Sequence, residues 1–540
     1  MLNNNLKVPM PTEKIVIRKQ KEIIYIYYRT RAYRNAKGQP TNDTVLIGKK
    51  DLETGMLIPN NKYYEIYNVD YDEKLIDKQV DTLTPKAILD YGNNFLLDYI
   101  LEKYDINSTL KYAFPDLYEE IATLAKYMVC EGNVYYYCED WCDKTYTGLS
   151  NVISSQRTSE ICKAISLNKR SKFFKRWVYA REKEEYLAYD ITSISSYSTG
   201  NENVEWGYNR DNENLPQINM GMIFGESTKI PVYYNVYPGS IPDKSYLDYM
   251  LRDSEEMGLK YSKFVMDKGF FSEDNLKRLC KETLTFIVSM PNHNNIPKRI
   301  ISENARIQYD SRNSLGYGRP YAKCVTITDY GFRSNVHVFF DNMKFHNESE
   351  NLFNNIEKRE KVLETMTAKP SETRPFDKYL IFKEEKGIFT FERNSDVINE
   401  AISKFGYFLI LTTDFKLTSG EVLDIYRRKD VVEKCFDNLK NAIDMNRLRT
   451  HSTESSDGKL FIAFISLILK SILDNIIGEF NRKNNLTIEK NIKELSKIRI
   501  VTLSNGTSLV NPITKKQRVI LENFGLSEQD IIDSVIGLKK

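Results

Sequence analysis

Three acidic residues on separate stretches of the chain could together hold divalent cations. Asp190 interrupts a strand-like run, Tyr189-Asp190-Ile191-Thr192, where a carboxylate is costly unless it meets water, a cation or a partner. Asp267 closes a second such run in Met266-Asp267-Lys268-Gly269-Phe270, with a glycine placed to permit a sharp exit. In open α/β sheets functional groups gather at strand ends. Glu433 lies within the charged run from Tyr426 to Lys440. Carboxylate oxygens suit hard cations such as Mg²⁺. Two such ions about 3.5–4 Å apart can activate a water or a 3′-hydroxyl and neutralise the leaving oxygen of a phosphodiester. Taken singly, each aspartate also reads as a turn or surface acid.

The elements that would position these acids follow from local patterning. Thr418-Ser419-Gly420-Glu421 has the spacing of a helix capping box, and a long helix is predicted from there to about Asp444. At 3.6 residues per turn Tyr426, Lys429, Glu433 and Lys440 fall within about 60° around its axis. One acid is then flanked by cations and a phenol on one stripe. The same pattern describes a solvated charged face with i,i+4 pairing.

The run from Tyr426 to Lys440 resembles the Tyr-x2-Arg-x3-Glu-x6-Lys motif of DDE-type transposases of the insertion-sequence-four group. Arg427, Phe436 and Leu439 agree as well, while Lys429 stands where that family usually has Arg. Met266 to Phe271 is similar to the group's second-aspartate motif and Tyr189 to Thr192 to its first. Glu205-Trp206-Gly207-Tyr208 with Gln217, and Tyr237-Pro238-Gly239-Ser240, are similar to its branch numbered sixteen thirty-four. The resemblance spans about residues 85 to 540, with the three motifs in order.

It implies an α/β fold: a ribonuclease-H-like catalytic core with a β-rich insertion, an α+β DNA-binding region before it and a mostly helical tail after it. It further implies that Asp190, Asp267 and Glu433 are catalytic and bind Mg²⁺, with Mn²⁺ able to substitute. Tyr426, Arg427, Lys429 and Lys440 would contact phosphates of the DNA end. The expected activity is metal-dependent cleavage and strand transfer, cut-and-paste transposition without ATP. The expected partners are double-stranded DNA with terminal inverted repeats and target DNA, with a homodimer on DNA. The alternative is a nuclease-only or catalytically inactive DNA-binding descendant. Without metal, three converging carboxylates would repel by about a few kcal/mol per pair at an effective dielectric near 20.

Other constellations are weaker. Cys138-x3-Cys142 lacks a second Cys or His pair at zinc-site spacing. The four histidines are dispersed, Gly316-Tyr317-Gly318 reads as a turn, and no Walker-type sequence occurs. A basic aromatic stretch carries Lys169, Arg170, Lys172, Lys175, Arg176, Arg181 and Lys183 among Phe173, Phe174 and Trp177. It suits contact with a single strand or a backbone, through Lys172, Lys175 and Arg176 above all, and equally a solvated helix face. Trp206 could stack on a displaced base or fill the core.

The 540 residues suggest about three domains. The expected segments are a β-rich basic region (1–84), a helical DNA-binding region (85–180), the first part of the core (181–295), the β-rich insertion (296–417), the second part with the catalytic helix (418–482) and a tail (483–540). A net charge of +3 over this length announces no nucleic-acid partner, so DNA contact must come from local patches, such as the one from Arg18 to Lys37. No secretory signal is read at the start, and Leu460 to Leu469 is about half the length of a membrane span, hence a buried helix. Seven scattered cysteines do not form a disulfide framework. The expected location is the bacterial cytoplasm, on the nucleoid when bound to DNA, with no membrane.

Overall fold

Alternating β-branched and aromatic residues at the start of the chain fold as an antiparallel sheet in the order β1 (Ile15–Gln20), β2 (Ile23–Arg34), β3 (Pro40–Lys50) and β4 (Leu57–Pro59), followed by α1 (Asn61–Tyr67). Ile26, Ile47 and Leu57 are its buried core. Gly38 closes the β2–β3 turn at φ +74°, a conformation that L side chains resist. Arg18, Lys19, Lys21, Arg29, Arg31, Arg34 and Lys37 are all exposed. This computed structural model describes residues 6–69, 84–180, 185–211, 213–259, 262–366, 370, 372–385 and 388–538. Two compact units are present, Met1–Thr84 and Pro85–Lys540.

The second unit opens with β5 (Pro85–Asp90) and six helices: α2 (Gly92–Lys103), α3 (Ile106–Ala113), α4 (Tyr118–Glu131), α5 (Cys138–Lys144), α6 (Ser155–Ala164) and α7 (Leu167–Tyr179). Strands and helices then alternate as β6 (Tyr186–Ser195), β7 (Gln217–Gly225), β8 (Pro231–Pro238), α8 (Asp243–Glu256), β9 (Lys263–Met266), α9 (Glu273–Lys281) and β10 (Thr285–Met290). Next come α10 (Asn295–Glu303), β11 (Tyr321–Ile327), β12 (Ser334–Phe340), α11 (Asn342–Glu364), β13 (Leu380–Glu385), β14 (Ile388–Arg393), α12 (Ser395–Ile402) and β15 (Tyr407–Thr412). The chain ends through α13 (Ser419–Arg428), α14 (Val431–Asp437), α15 (Thr453–Asn484), α16 (Ile488–Leu495), β16 (Arg499–Leu503), β17 (Ser508–Val510), α17 (Lys515–Glu522) and α18 (Glu528–Gly537).

Eight of these strands form one sheet in the order β11-β12-β15-β10-β9-β6-β7-β8. β6 with β9 and β9 with β10 are parallel, and the remaining neighbours are antiparallel. The segment expected as a β-rich insertion therefore gives three strands to the central sheet. β15 is the reason: its apolar run Tyr407–Thr412 pairs β10 on one side and β12 on the other, covering an edge that would otherwise leave backbone groups unpaired. What stands apart is the β13–β14 hairpin with α11 and α12, around a small core of Leu352, Ile356, Leu363, Leu380 and Ile398.

The apolar run at Leu460 belongs to a longer helix than expected. α15 has 32 residues and by composition could cross a membrane, but 83% of its apolar window is buried within the fold. It packs against α4, α6 and β8. Gly458 makes the contact with α6 possible, since a Cβ there would lie 2.1 Å from the Cys162 carbonyl oxygen.

Candidate active site

Along β6 every residue is buried except Asp190, which is partly open. The last paired position of β6 with β9 is Tyr189 opposite Met266. One step further on, Asp190 and Asp267 occupy matching positions on parallel strands whose backbones lie about 4.8 Å apart. Residues in register share a face, so both carboxylates rise from the same side of the sheet. The Ile191 N–H donates to Asp190 Oδ1 at 2.8 Å. The chain leaves Asp267 through one 3₁₀ turn, Lys268–Phe270. Gly269 is not needed for that turn: its φ is not positive, and a Cβ would meet nothing within 4 Å.

The charge state of the pair reflects this crowding. Burial holds the Asp190 carboxyl above its ordinary pKa, with the neighbouring Asp267 acting in the same direction. The Ile191 N–H and the positive charges of Lys429 and Arg210 oppose that rise. Arg210 had no signal in the sequence; it lies in the loop between β6 and β7, and only the fold turns its charge toward Asp190.

The predicted capping box is present: the Thr418 side chain accepts from the Glu421 N–H, and the Glu421 carboxylate accepts from the Thr418 N–H. The single long helix is not. Lys429, Asp430 and Val432 donate their N–H groups to carbonyls three residues back, tightening the backbone between α13 and α14. A π turn, Asn438–Ala442, then loosens it. Neither stretch keeps the 100° step of an α-helix, so the proposed single stripe breaks up.

Its members go to different places. The Tyr426 hydroxyl donates to Asp267 Oδ1 at 2.9 Å, so it is committed to a carboxylate and not open to a phosphate. Burial and the Asp267 charge hold that phenol well above its ordinary pKa. Lys429 is only 5% exposed, with its ammonium 5.7 Å from the centre of the Tyr426 ring. It therefore faces inward, and its charge acts on Asp190. Lys440 pairs with Asp211 at 2.6 Å. Arg427 stays exposed and lies 3.8 Å from Asp341, and Arg428 pairs with the buried Glu226.

Glu433 is exposed on α14. That helix packs against β6, the strand of Asp190, and Phe436 meets Phe224 of β7 edge-on at 6.0 Å. The structure thus brings Asp190 and Asp267 together and places Glu433 on a helix that packs against β6. Among the described residues, no three His, Cys, Asp or Glu side chains converge closely enough to hold a metal ion.

The basic aromatic stretch separates by face. α7 buries Phe173, Phe174 and Trp177, so these rings are core and not platforms for bases, while Lys172, Lys175 and Arg176 are exposed. The 3.6-residue period turns the two sets to opposite sides. Arg170 pairs with Asp457 at 2.6 Å, and Arg181 and Lys183 lie outside the described residues. Trp206 is 63% exposed, which removes the core alternative.

A family described as "Transposase DDE domain" matches residues 181–469, just over half of the 540. That span begins before β6 and ends within α15, and includes all three acids. Among solved structures the chain is similar to one described as the cryo-EM structure of piggyBac transposase synaptic complex with hairpin DNA. The identity is 11% and the TM-score 0.35, over 79% of this chain and 76% of that one. No curated protein matches the chain.

Proposed function

This chain belongs to the transposase DDE domain family, and we propose that Asp190, Asp267 and Glu433 form its catalytic centre for cutting and joining DNA ends. The observation that carries this reading is the matched register of Asp190 and Asp267 on parallel strands, with the Glu433 helix packed against β6, the strand of Asp190. The strand order β8-β7-β6-β9-β10, with only the last three parallel, supports a ribonuclease-H-like core.

Asp190 and Asp267, which the fold brings together, suit a divalent metal, and Glu433 would supply the third donor. Two carboxylates on one face and a third on the adjacent helix are hard oxygen donors, and the raised Asp190 pKa reflects an anion that a cation would relieve. Bound Mg²⁺ would lower the pKa of the attacking water or 3′-hydroxyl and neutralise the leaving oxygen. The Tyr426 hydroxyl would orient Asp267 through its hydrogen bond. Lys429, buried and acting on Asp190 through its charge, would balance the carboxylates.

Cut-and-paste movement of an element bounded by inverted repeats is the activity this centre would serve, with a dimer of the chain holding two ends. Arg427, Lys172, Lys175, Arg176 and Trp206, all exposed, are proposed DNA contacts. The exposed basic hairpin of β2 and β3 would add phosphate contacts.

Asp190→Asn, Asp267→Asn and Glu433→Gln should each abolish Mg²⁺-dependent cleavage of a repeat-end duplex and leave its binding largely intact. Substantial cleavage by any one variant removes that residue from the centre. A joining assay on the wild type separates a transposase from a nuclease.

A further inference from the structure

The first two turns of α15 line a cavity of about 460 Å³, which α6 and the segment from Arg449 to Ser452 also border. Lys459 lines it and is 2% exposed. Its ammonium reaches Asn133 Oδ1 at 3.5 Å, too long for a good hydrogen bond, and sits 5.1 Å from the centre of the Tyr135 ring. Among the described residues no carboxylate forms an ion pair with it. Two equally buried lysines are treated differently: Lys126 pairs with Asp98 at 2.7 Å, and Lys470 pairs with Glu489. A buried ammonium without an anion is costly.

Two further cations, Arg449 and Lys163, stand among the otherwise neutral lining. Arg449 lines the cavity from a backbone at φ +50°, and its guanidinium reaches Asn133 Oδ1 at 3.1 Å and Asp444 at 2.6 Å. Lys163 adds a third positive charge to the lining, which includes no carboxylate among the described residues, although Asp444 pairs with Arg449 and Glu454 lies near Lys163. The cavity lies at the N-terminal end of a 32-residue helix, where the backbone dipole favours an anion. Its volume falls in the range of small-molecule sites.

We propose that this cavity binds a phosphate group, seated between the Lys459 ammonium and the Arg449 guanidinium. Burial pulls the Lys459 pKa down to about 8, which still leaves the ammonium the major form at neutral pH. The phosphate could come from a free nucleotide or from a DNA backbone; only the second source rests on the function proposed above.

The test uses the full chain with Lys459→Met and Arg449→Gln, and thermal unfolding shows that each variant folds. Inorganic phosphate and a 5′-mononucleotide are titrated by calorimetry against chloride at equal ionic strength, and a duplex is titrated at matched salt. Binding of phosphate or the mononucleotide, weakened at least tenfold in both variants, supports the site with a free ligand. No such binding, but duplex affinity lowered at least tenfold in both variants, supports it with a DNA phosphate. If neither affinity changes, the proposal is overturned. The readout is binding, so it stays separate from the cleavage test of the three acids.

Discussion

The hydroxyl of Tyr426 donates a 2.9 Å hydrogen bond to Asp267 and so ties α13 to the end of β9. A hydrogen bond to a charged acceptor contributes about 1.5–3 kcal/mol. Tyr426→Phe keeps the ring beneath Lys429 and removes the hydroxyl, with its bond to Asp267 and its contact with Ser289. Urea denaturation of metal-free protein should show a loss in that range, and cleavage should slow through a misplaced Asp267. Unchanged stability and unchanged rate together would mean that the bond positions nothing.

Asp190 should leave a signature in the dependence of stability on pH. Its pKa is raised in the folded chain above the ordinary 3.8, so the folded state binds the proton more tightly than the unfolded one. Stability is therefore lost as pH rises from about 3.8 through the raised value, and the deficit persists above it. Metal-free Asp190→Asn escapes that cost. It should melt higher than the wild type at pH 7, and the two should converge below about pH 4. A wild type that melts higher at pH 7 without metal contradicts this.

Metal should reverse the order. An ion that binds only the folded state raises its stability by mass action. Titrating Mg²⁺ at pH 7 should raise the melting temperature of the wild type and leave Asp190→Asn nearly flat. An equal rise in both would assign the effect to other sites.

Glu433 offers the opposite profile, because it is exposed. Glu433→Gln should change stability by no more than about 0.5 kcal/mol, as at other open surface positions. The same variant should be inactive in cleavage. Measured side by side, thermal melts and a cleavage assay separate the chemistry of this residue from any structural role.

The two faces of α7 should answer different assays. Reversing Lys172, Lys175 and Arg176 to Glu should weaken duplex binding and flatten its salt dependence by about 0.9 log units for each phosphate no longer neutralised. Phe173→Ala should instead cost about 3–5 kcal/mol of stability, since its ring is fully buried against Trp177 and Phe461. Unaltered DNA affinity in the triple reversal would exclude this face.

Short-range features were legible in the residues alone: the capping box at Thr418 and the strand-like runs around Asp190 and Asp267. Each depends on neighbours within a few residues, where periodicity and side-chain chemistry act directly. Strand partnership was legible only in the folded chain. Asp190 and Asp267 are matched because β9 pairs with β6 and ends at Met266, a choice made by packing 77 positions apart in the chain. The same kind of long-range pairing drew β11, β12 and β15 into the central sheet. Between α13 and α14 the sheet beneath overrode a helical pattern that reads as continuous. The backbone tightens there, Lys429 turns inward and Tyr426 reaches Asp267. A local pattern records a residue's own preferences but not its distant partner, and burial of the shared face settles the contest between them.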